Sequence, residues 1–200
     1  MLYLMLCIGC IFFIFGVSVL NLMHAQILDS QIVEILSLHR IEWLDFIAKC
    51  LSLLGGMPFV LIFTTLWCVY WLRIQQYAIA TMIILAVSGS ALIAWGLKWF
   101  FDRPRPASVY HLVSSYGASF PSAHSVYAAT LACLAIIIYR KHRNFRSLAI
   151  LSCMWLIVMG MSRVYLGVHY PTDVLAGWGI GMFWVALIWL GFTRIHVSKQ

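Results

Sequence analysis

The chain has 200 residues but only 19 charged side chains, 13 Lys/Arg and 6 Asp/Glu; hydrophobic types make up 64% and charged types 10%. A soluble globular domain runs at about 45–50% apolar and about 25% charged residues, so this composition excludes an ordinary water-soluble domain and, equally, a disordered chain. The net charge of +7 is not a nucleic-acid signal, because the cations stand between long apolar runs instead of clustering on one wetted face.

In chain order, the first 28 residues carry no Lys, Arg, Asp or Glu. No basic n-region or small-residue cleavage site marks a signal peptide, so residues 2–23 are expected to form a first transmembrane helix. Residues 29–45 mix Ile32, Val33, Leu36, Trp43 and Leu44 with Glu34, Arg40, Glu42 and Asp45. This pattern predicts an interfacial amphipathic helix with Asp29 or Ser30 as its cap; a polar loop is the alternative. Further spans are expected at 50–72, 74–97, 121–139, 147–166 and 174–192. Each is too long and apolar for a soluble strand, and a continuous helix satisfies its own backbone in lipid. Six spans of ~20 residues use about 120 residues, so a single integral-membrane domain over residues 1–200, an all-α six-helix bundle, is the expected architecture.

The charges divide by side. The termini, the Arg73 turn and the Arg140–Arg146 loop hold Arg73, Arg140, Lys141, Arg143, Arg146, Arg194 and Lys199, with no acid. The opposite side holds six cations and all six acids. The dense basic loop places the first side in the cytoplasm. The expectation is therefore a multi-pass protein of the cytoplasmic membrane, both termini inside, with the other face towards the periplasm or exterior. Trp95 and Trp99 at one end, with Trp67, Tyr70 and Trp71 at the other, fit aromatic belts. Gly177 and Gly181 stand four apart and allow close helix contact. The cysteines, Cys7 and Cys10 included, fall almost entirely in apolar stretches and read as small packing residues.

Three polar segments gather on the acid-bearing side: residues 98–106, residues 121–124 and residues 162–173. Lys98, Arg105 and Arg163 supply three cations, two of them planar forks suited to phosphate oxygens. Ser122 adds a hydroxyl, and the start of the fourth span adds backbone amides at a helix N-terminus, itself an anion site. His124 falls in that first turn. His169 and Asp173 are four apart, on one face if the segment is helical. Asp173 then orients His169 and leaves its other nitrogen free to attack. Asp102 and Arg103, within the first segment between Lys98 and Arg105, either assist head-group binding or pair with each other. No carboxylate cluster or HExxH stands among these residues, so no metal and no cofactor is expected.

These segments resemble the signature of the type-2 phosphatidic-acid phosphatase superfamily, related to vanadium haloperoxidases and bacterial acid phosphatases. Its pattern is K-x6-R-P, then P-S-G-H, then S-R-x5-H-x3-D. Lys98, Arg105 and Pro106 match the first part, Pro121, Ser122 and His124 the second, and Ser162, Arg163, His169 and Asp173 the third. Ala123 replaces the usual Gly, keeping the backbone amide and adding a methyl group. The resemblance implies a metal-independent, two-step phosphoryl transfer. In it His169 is the nucleophile, His124 the acid and then the base, Asp173 the orienting carboxylate, and Lys98, Arg105, Ser122, Ala123 and Arg163 the phosphate holders. It also implies a membrane-lipid phosphate or isoprenoid diphosphate as substrate, with undecaprenyl diphosphate or phosphatidylglycerol phosphate favoured. A lipid A phosphatase or a lipid phosphotransferase would use the same site. A lipid transporter or scramblase is the non-enzyme alternative, and it would favour internal repeats and helices broken at mid-membrane.

Overall fold

The computed structural model describes residues 2–197, and their side chains up to residue 193. Lys199, assigned above to the cytoplasmic side, lies outside the described residues. The elements in order are α1 (Leu2–Val19), α2 (Met23–Leu38), α3 (Glu42–Leu54), α4 (Met57–Arg73), α5 (Tyr77–Phe101), a 3-10 turn (Ser108–Tyr110), α6 (Ala123–Ile138), α7 (Phe145–Tyr165) and α8 (Pro171–Val197). No strand occurs among the described residues.

Four of these helices are long and apolar enough to cross a membrane: α1, α5, α7 and, over Pro171–Thr193, α8. The pair α3 and α4 would count as a fifth crossing, but it bends by 55°. This corrects the expectation of one straight span over residues 50–72. The physical reason is the run Gly55-Gly56-Met57-Pro58: Pro58 has no N–H to bond back to Leu54, and the two glycines carry the turn. The sixth expected span is α6, with 16 residues. At 1.5 Å per residue it is about 24 Å long, shorter than the ~30 Å hydrocarbon layer.

The segment 29–45 is not one helix either. It is divided at His39–Ile41 between α2 and α3, and Ile41, in extended conformation, precedes α3. Asp29 and Ser30 do not cap it, because both lie inside α2. Asp29 is instead one of only two buried residues of α2. A carboxylate placed there needs partners from outside its own helix; they belong to the site described below.

Helix α6 sits at the centre, packed against α5, α7 and α8, while α1 lies along α8, α4 along α5 and α3 against α7. Val126, Tyr127, Leu134 and Ile137 of α6 meet Met82, Ile83 and Ala86 of α5 and Ile180 and Val185 of α8 in the main core. Large apolar side chains on the outer surface, such as Ile14, Leu66, Leu92 and Leu151, are exposed. This apolar exterior is what a bilayer-facing bundle requires, since lipid replaces water around it. Two of the belt aromatics have their indole N–H occupied: Trp95 donates to the Tyr127 hydroxyl at 3.2 Å and Trp67 to that of Tyr139 at 3.2 Å.

The approach of α8 to α6 depends on Gly177 and Gly181. A Cβ on Gly177 would meet the Ser122 carbonyl at 2.7 Å, and one on Gly181 would meet Ala129 Cβ at 2.6 Å and the Val126 carbonyl at 2.8 Å. This close contact brings the N-termini of both helices to the same end. Gly181→Leu should therefore cost about 1–3 kcal/mol by overpacking. Gly191→Leu, at a position with open space, serves as control. Thermal unfolding of the purified proteins in one detergent checks this; equal midpoints for the two variants would contradict the packing.

Candidate active site

The site is assembled from helix ends. Lys98 comes from the last turn of α5, His124 from the first turn of α6, Arg163 from the last turn of α7 and Asp173 from the first turn of α8. Arg105 and His169 come from the connecting loops. A backbone hydrogen bond from the Ser122 N–H to the Asp173 carbonyl, 3.0 Å, ties the start of α6 to the start of α8. Gly167, with φ +74, turns the chain from α7 towards His169, and a Cβ there would fall 2.0 Å from the Tyr110 carbonyl oxygen. Only glycine fits that turn.

His169 lies just before α8 and not on its face, so it reaches Asp173 through a turn instead of by helical spacing. Its Nδ1 is 3.5 Å from Asp173 Oδ2, beyond an ordinary hydrogen bond. Ser119 stands beside them: its hydroxyl is 3.4 Å from His169 Nδ1 and donates to Asp173 Oδ2 at 2.5 Å. On the other side of the ring, Arg105 Nη1 is 3.3 Å from His169 Nε2. A guanidinium only donates, so Nε2 accepts and the proton of the neutral ring sits on Nδ1. This orientation leaves a nitrogen lone pair facing Arg105.

Lys98, Ser122, Arg163, His169 and Asp173 are all buried, while Arg105, Ala123 and His124 are half-buried. Lys98 donates to the carbonyls of Ala118 and Ser119 at 2.5 and 3.3 Å. Arg105 donates to those of Tyr116, Gly117 and Val168 at 2.7–2.8 Å. Arg163 Nη1 donates to the Ser52 hydroxyl at 2.6 Å, and its Nε has no partner among the described residues. His124 Nε2 lies 3.1 Å from the Ser52 carbonyl, which only accepts, so this nitrogen carries a proton. The Ser122 hydroxyl receives that of Ser125 at 3.0 Å. All eight residues singled out from the sequence thus converge on one end of the bundle.

Two things were not anticipated. Asp102 and Arg103 do not pair with each other. Asp102 ends α5 in the left-handed region with φ 40, whereas Arg103 is buried between Asp29 and Asp173 at 2.8 and 2.6 Å. Ser52 and Ser119 were also not singled out, and Asp29 only as a helix cap. Asp29 is the first acid after 28 uncharged residues, and Ser119 stands two residues before Pro121; those were the available signals.

Burial and the neighbouring cations set the charge of the loop groups. Desolvation, followed by Lys98, Arg105, Arg163 and His124, holds His169 well below the ordinary imidazole range. Desolvation pushes Arg105 down, with Asp173 opposing. Arg103 is raised: burial works against its charge, but Asp173 and Asp29 outweigh it.

Residues 75–196 match the family model described as the PAP2 superfamily. The chain belongs to the PAP2 superfamily. It is similar to phosphatidylglycerophosphatase B of Bacillus subtilis, 28% identical over 183 residues covering 89% of this chain and 90% of the relative. It is similar also to the putative undecaprenyl-diphosphatase YbjG of Escherichia coli, 33% identical over 141 residues covering 68% of this chain and 66% of that one. The crystal structure of the first transmembrane PAP2 type phosphatidylglycerolphosphate phosphatase from Bacillus subtilis superposes with a TM-score of 0.83, at 26% identity, over 93% of this chain and 96% of that one. That of Aquifex aeolicus LpxE shares the fold, with a TM-score of 0.67 at 24% identity over 80% and 93% of the two chains. This PAP2 protein is an integral membrane protein with an all-helical fold.

The electrostatics of the site make a direct prediction. A folded-state midpoint below the ordinary value means that His169 stays neutral as pH falls through 6.5 and protonates only further down. The imidazole signals of isotopically labelled protein, assigned with His169→Gln, should titrate well below 6.5. A midpoint at or above 6.5 would contradict the arrangement.

Proposed function

We propose that this protein hydrolyses the terminal phosphate of a membrane lipid phosphate or diphosphate through a phosphohistidine at His169, without a metal. That the chain is a phosphate-ester hydrolase follows from its family and from the phosphatases it resembles. The observation that carries the finer reading is the gathering of Lys98, Arg105 and Arg163 around His169, with Arg105 against its Nε2 and the Arg163 Nε donor without a partner among the described residues. Three like charges held together, two of them buried and one half-buried, are costly unless an anion joins them, and an unsatisfied buried donor costs about 1–3 kcal/mol. A phosphoryl group relieves both.

In this reading His169 Nε2 attacks phosphorus in line and the bond to the leaving oxygen breaks. His124, as imidazolium, gives a proton to that oxygen and becomes a neutral imidazole. Water then attacks the phosphohistidine and gives its proton to His124. This releases inorganic phosphate and restores the neutral His169 and the His124 imidazolium. Lys98, Arg105, Arg163, the Ser122 hydroxyl and the Ala123 amide hold the equatorial oxygens, whose charge is spread in the loose transition state. Asp173 keeps the Nδ1 proton in place and balances the positive ring that forms on phosphorylation. No group of three His, Cys, Asp or Glu suited to a metal ion occurs among the described residues, and this chemistry uses none.

The lipid character of the substrate has structural support as well. An apolar cleft of about 700 Å³ opens between α4, α6 and α7, lined by Phe59, Phe63, Trp67, Leu131, Ala135 and Trp155. It reaches up to Leu54, near Ser52, the residue that touches both His124 and Arg163. A hydrocarbon chain lying there keeps its apolar surface out of water while its phosphate enters the site; extraction would cost about 0.8 kcal/mol per CH₂. Phosphatidylglycerol phosphate and undecaprenyl diphosphate are the favoured substrates, in line with the names of the two relatives.

The long helices, the bent α3–α4 pair and α6 together make six crossings in this reading. The basic loop 140–146 and both termini then lie in the cytoplasm, and the site faces outward. Thiol labelling at single cysteines placed in residues 107–119 and 140–147 should proceed from opposite sides; labelling of both from one side would exclude six crossings.

The catalytic assignment is checked on purified protein in nanodiscs with a panel of lipid phosphates. Phosphate release should match substrate loss, vanadate should inhibit and EDTA should not. His169→Ala should lose at least about 10³-fold in rate together with the acid-labile phosphoprotein. Near-normal turnover by this variant would exclude His169 as nucleophile. Phosphate appearing on a second lipid in place of solution would indicate transfer.

A further inference from the structure

The carboxylate beside His169 uses its two oxygens differently. Asp173 has no exposed surface. Its Oδ2 faces His169 and accepts from Ser119 Oγ at 2.5 Å and from the Tyr170 N–H at 2.9 Å. Its Oδ1 accepts from Arg103 Nη1 at 2.6 Å. The other arm of the same guanidinium, Nη2, reaches Asp29 Oδ2 in α2 at 2.8 Å. Nη1 also donates to Thr172 Oγ1 at 3.0 Å. Tyr170 closes a further side, with the guanidinium carbon 4.1 Å from its ring centroid. Asp29 in turn accepts the Thr172 N–H at 3.3 Å and the Thr172 hydroxyl. The Thr172 N–H is one of the first-turn donors of α8 that no intrahelical partner can take.

We propose that Arg103 and Asp29 are positioning residues for the reaction, a buried bridge from α2 that holds the Asp173 carboxylate and the first turn of α8 in register with His169. The proposal rests on the reading of His169 as nucleophile. A carboxylate bonded through one oxygen alone can turn about its last torsion. With Oδ1 held by Arg103, that rotation stops and Oδ2 stays towards the imidazole. The bridge also sets charge. One guanidinium between two carboxylates leaves the trio with a net negative charge when all three are ionised. Asp173 is therefore not fully neutralised by the cation that holds it, and it remains able to balance a positive ring on His169. Without Asp29, Arg103 would offset Asp173 completely.

A lysine cannot replace this arginine, because a single ammonium lacks the fixed fork that spans both carboxylates. The charged and titratable groups facing His169 are Lys98 from α5, His124 from α6, Arg163 from α7, Arg105 from the loop after α5 and Asp173 from α8. Asp29 acts on it only through Arg103 and α8.

The test compares Asp29→Asn, Arg103→Lys and Arg103→Gln with wild type, and with Glu34→Gln, an exposed charge on the same helix, as control. Turnover of phosphatidylglycerol phosphate, thermal midpoint and the His169 titration are measured on each. Asp29→Asn should lower kcat roughly tenfold with KM changed less than about twofold, as for a group that orients a catalytic residue without touching substrate. It should move the His169 midpoint further down, since a negative charge is lost. Arg103→Lys should keep more activity than Arg103→Gln, and Glu34→Gln should match wild type. A purely structural brace would lower the thermal midpoint and leave kcat and the His169 titration of the folded protein unchanged; that result overturns the proposal. Should Asp29→Asn fail to fold, Arg103→Lys decides, and wild-type kcat there overturns it equally. Absence of phosphate release by the wild type with every lipid tested would instead remove the phosphatase reading, while the His169 titrations still report on the bridge.

Discussion

A carboxylate with no exposed surface joins the parts of this molecule. Asp173 takes hydrogen bonds from Arg103, Ser119 and the Tyr170 N–H, and its backbone carbonyl takes the Ser122 N–H. Through these contacts the start of α8, the start of α6, the loop before α6 and, by way of Arg103, helix α2 meet at one point. An unpaired carboxylate at that depth would be untenable. The surrounding donors are therefore a condition of placing the acid there, and they determine where the helix ends lie.

The same burial explains the rest of the site. Lys98, Arg105 and Arg163 surround His169, and the carbonyls of residues 116–119 take the donors of Lys98 and most of those of Arg105. Carbonyl dipoles satisfy hydrogen bonds but supply no counter-charge, so the cluster retains a strong field for an anion. The cations stand on a bundle whose outer surface is apolar, and a groove of hydrocarbon-like lining runs along that surface up to Leu54. Charge at the end and oil along the side are complementary to one molecule class, a lipid whose head group is a phosphate. Ser52 lies where the two environments meet, hydrogen-bonded to His124 and to Arg163.

Much of this was legible in residue order. Long runs without charge place helices, since lipid leaves the backbone no other open-chain solution, and α1, α5, α7 and α8 follow those runs closely. The break at residues 55–56 was legible as well in Gly-Gly-Met-Pro, but hydropathy averaging runs across it. The status of Asp29 was not. Along α2 it looks like a cap or a wetted face residue, because its partners Arg103 and Thr172 are 74 and 143 positions away. Ser119 is similar: a serine in a polar loop is unremarkable until the fold sets it between an imidazole and a carboxylate.

The amino-acid sequence by itself determined that this is a helical membrane protein and that Lys98, Arg105, Ser122, Ala123, His124, Arg163, His169 and Asp173 gather at one end of it. Alternating spans return polar segments to the same face whatever the packing. Only the tertiary structure decided how those residues are held. It put His169 in a turn instead of on a helical face, set Ser119 between it and Asp173, and gave Arg103 to Asp29 and Asp173 instead of to Asp102. Spacing along a helix specifies neighbours within one element. Hydrogen bonds between helix ends depend on how closely helices approach, and here that approach is set by small residues such as Gly177 and Gly181, which no local pattern weighs against the rest.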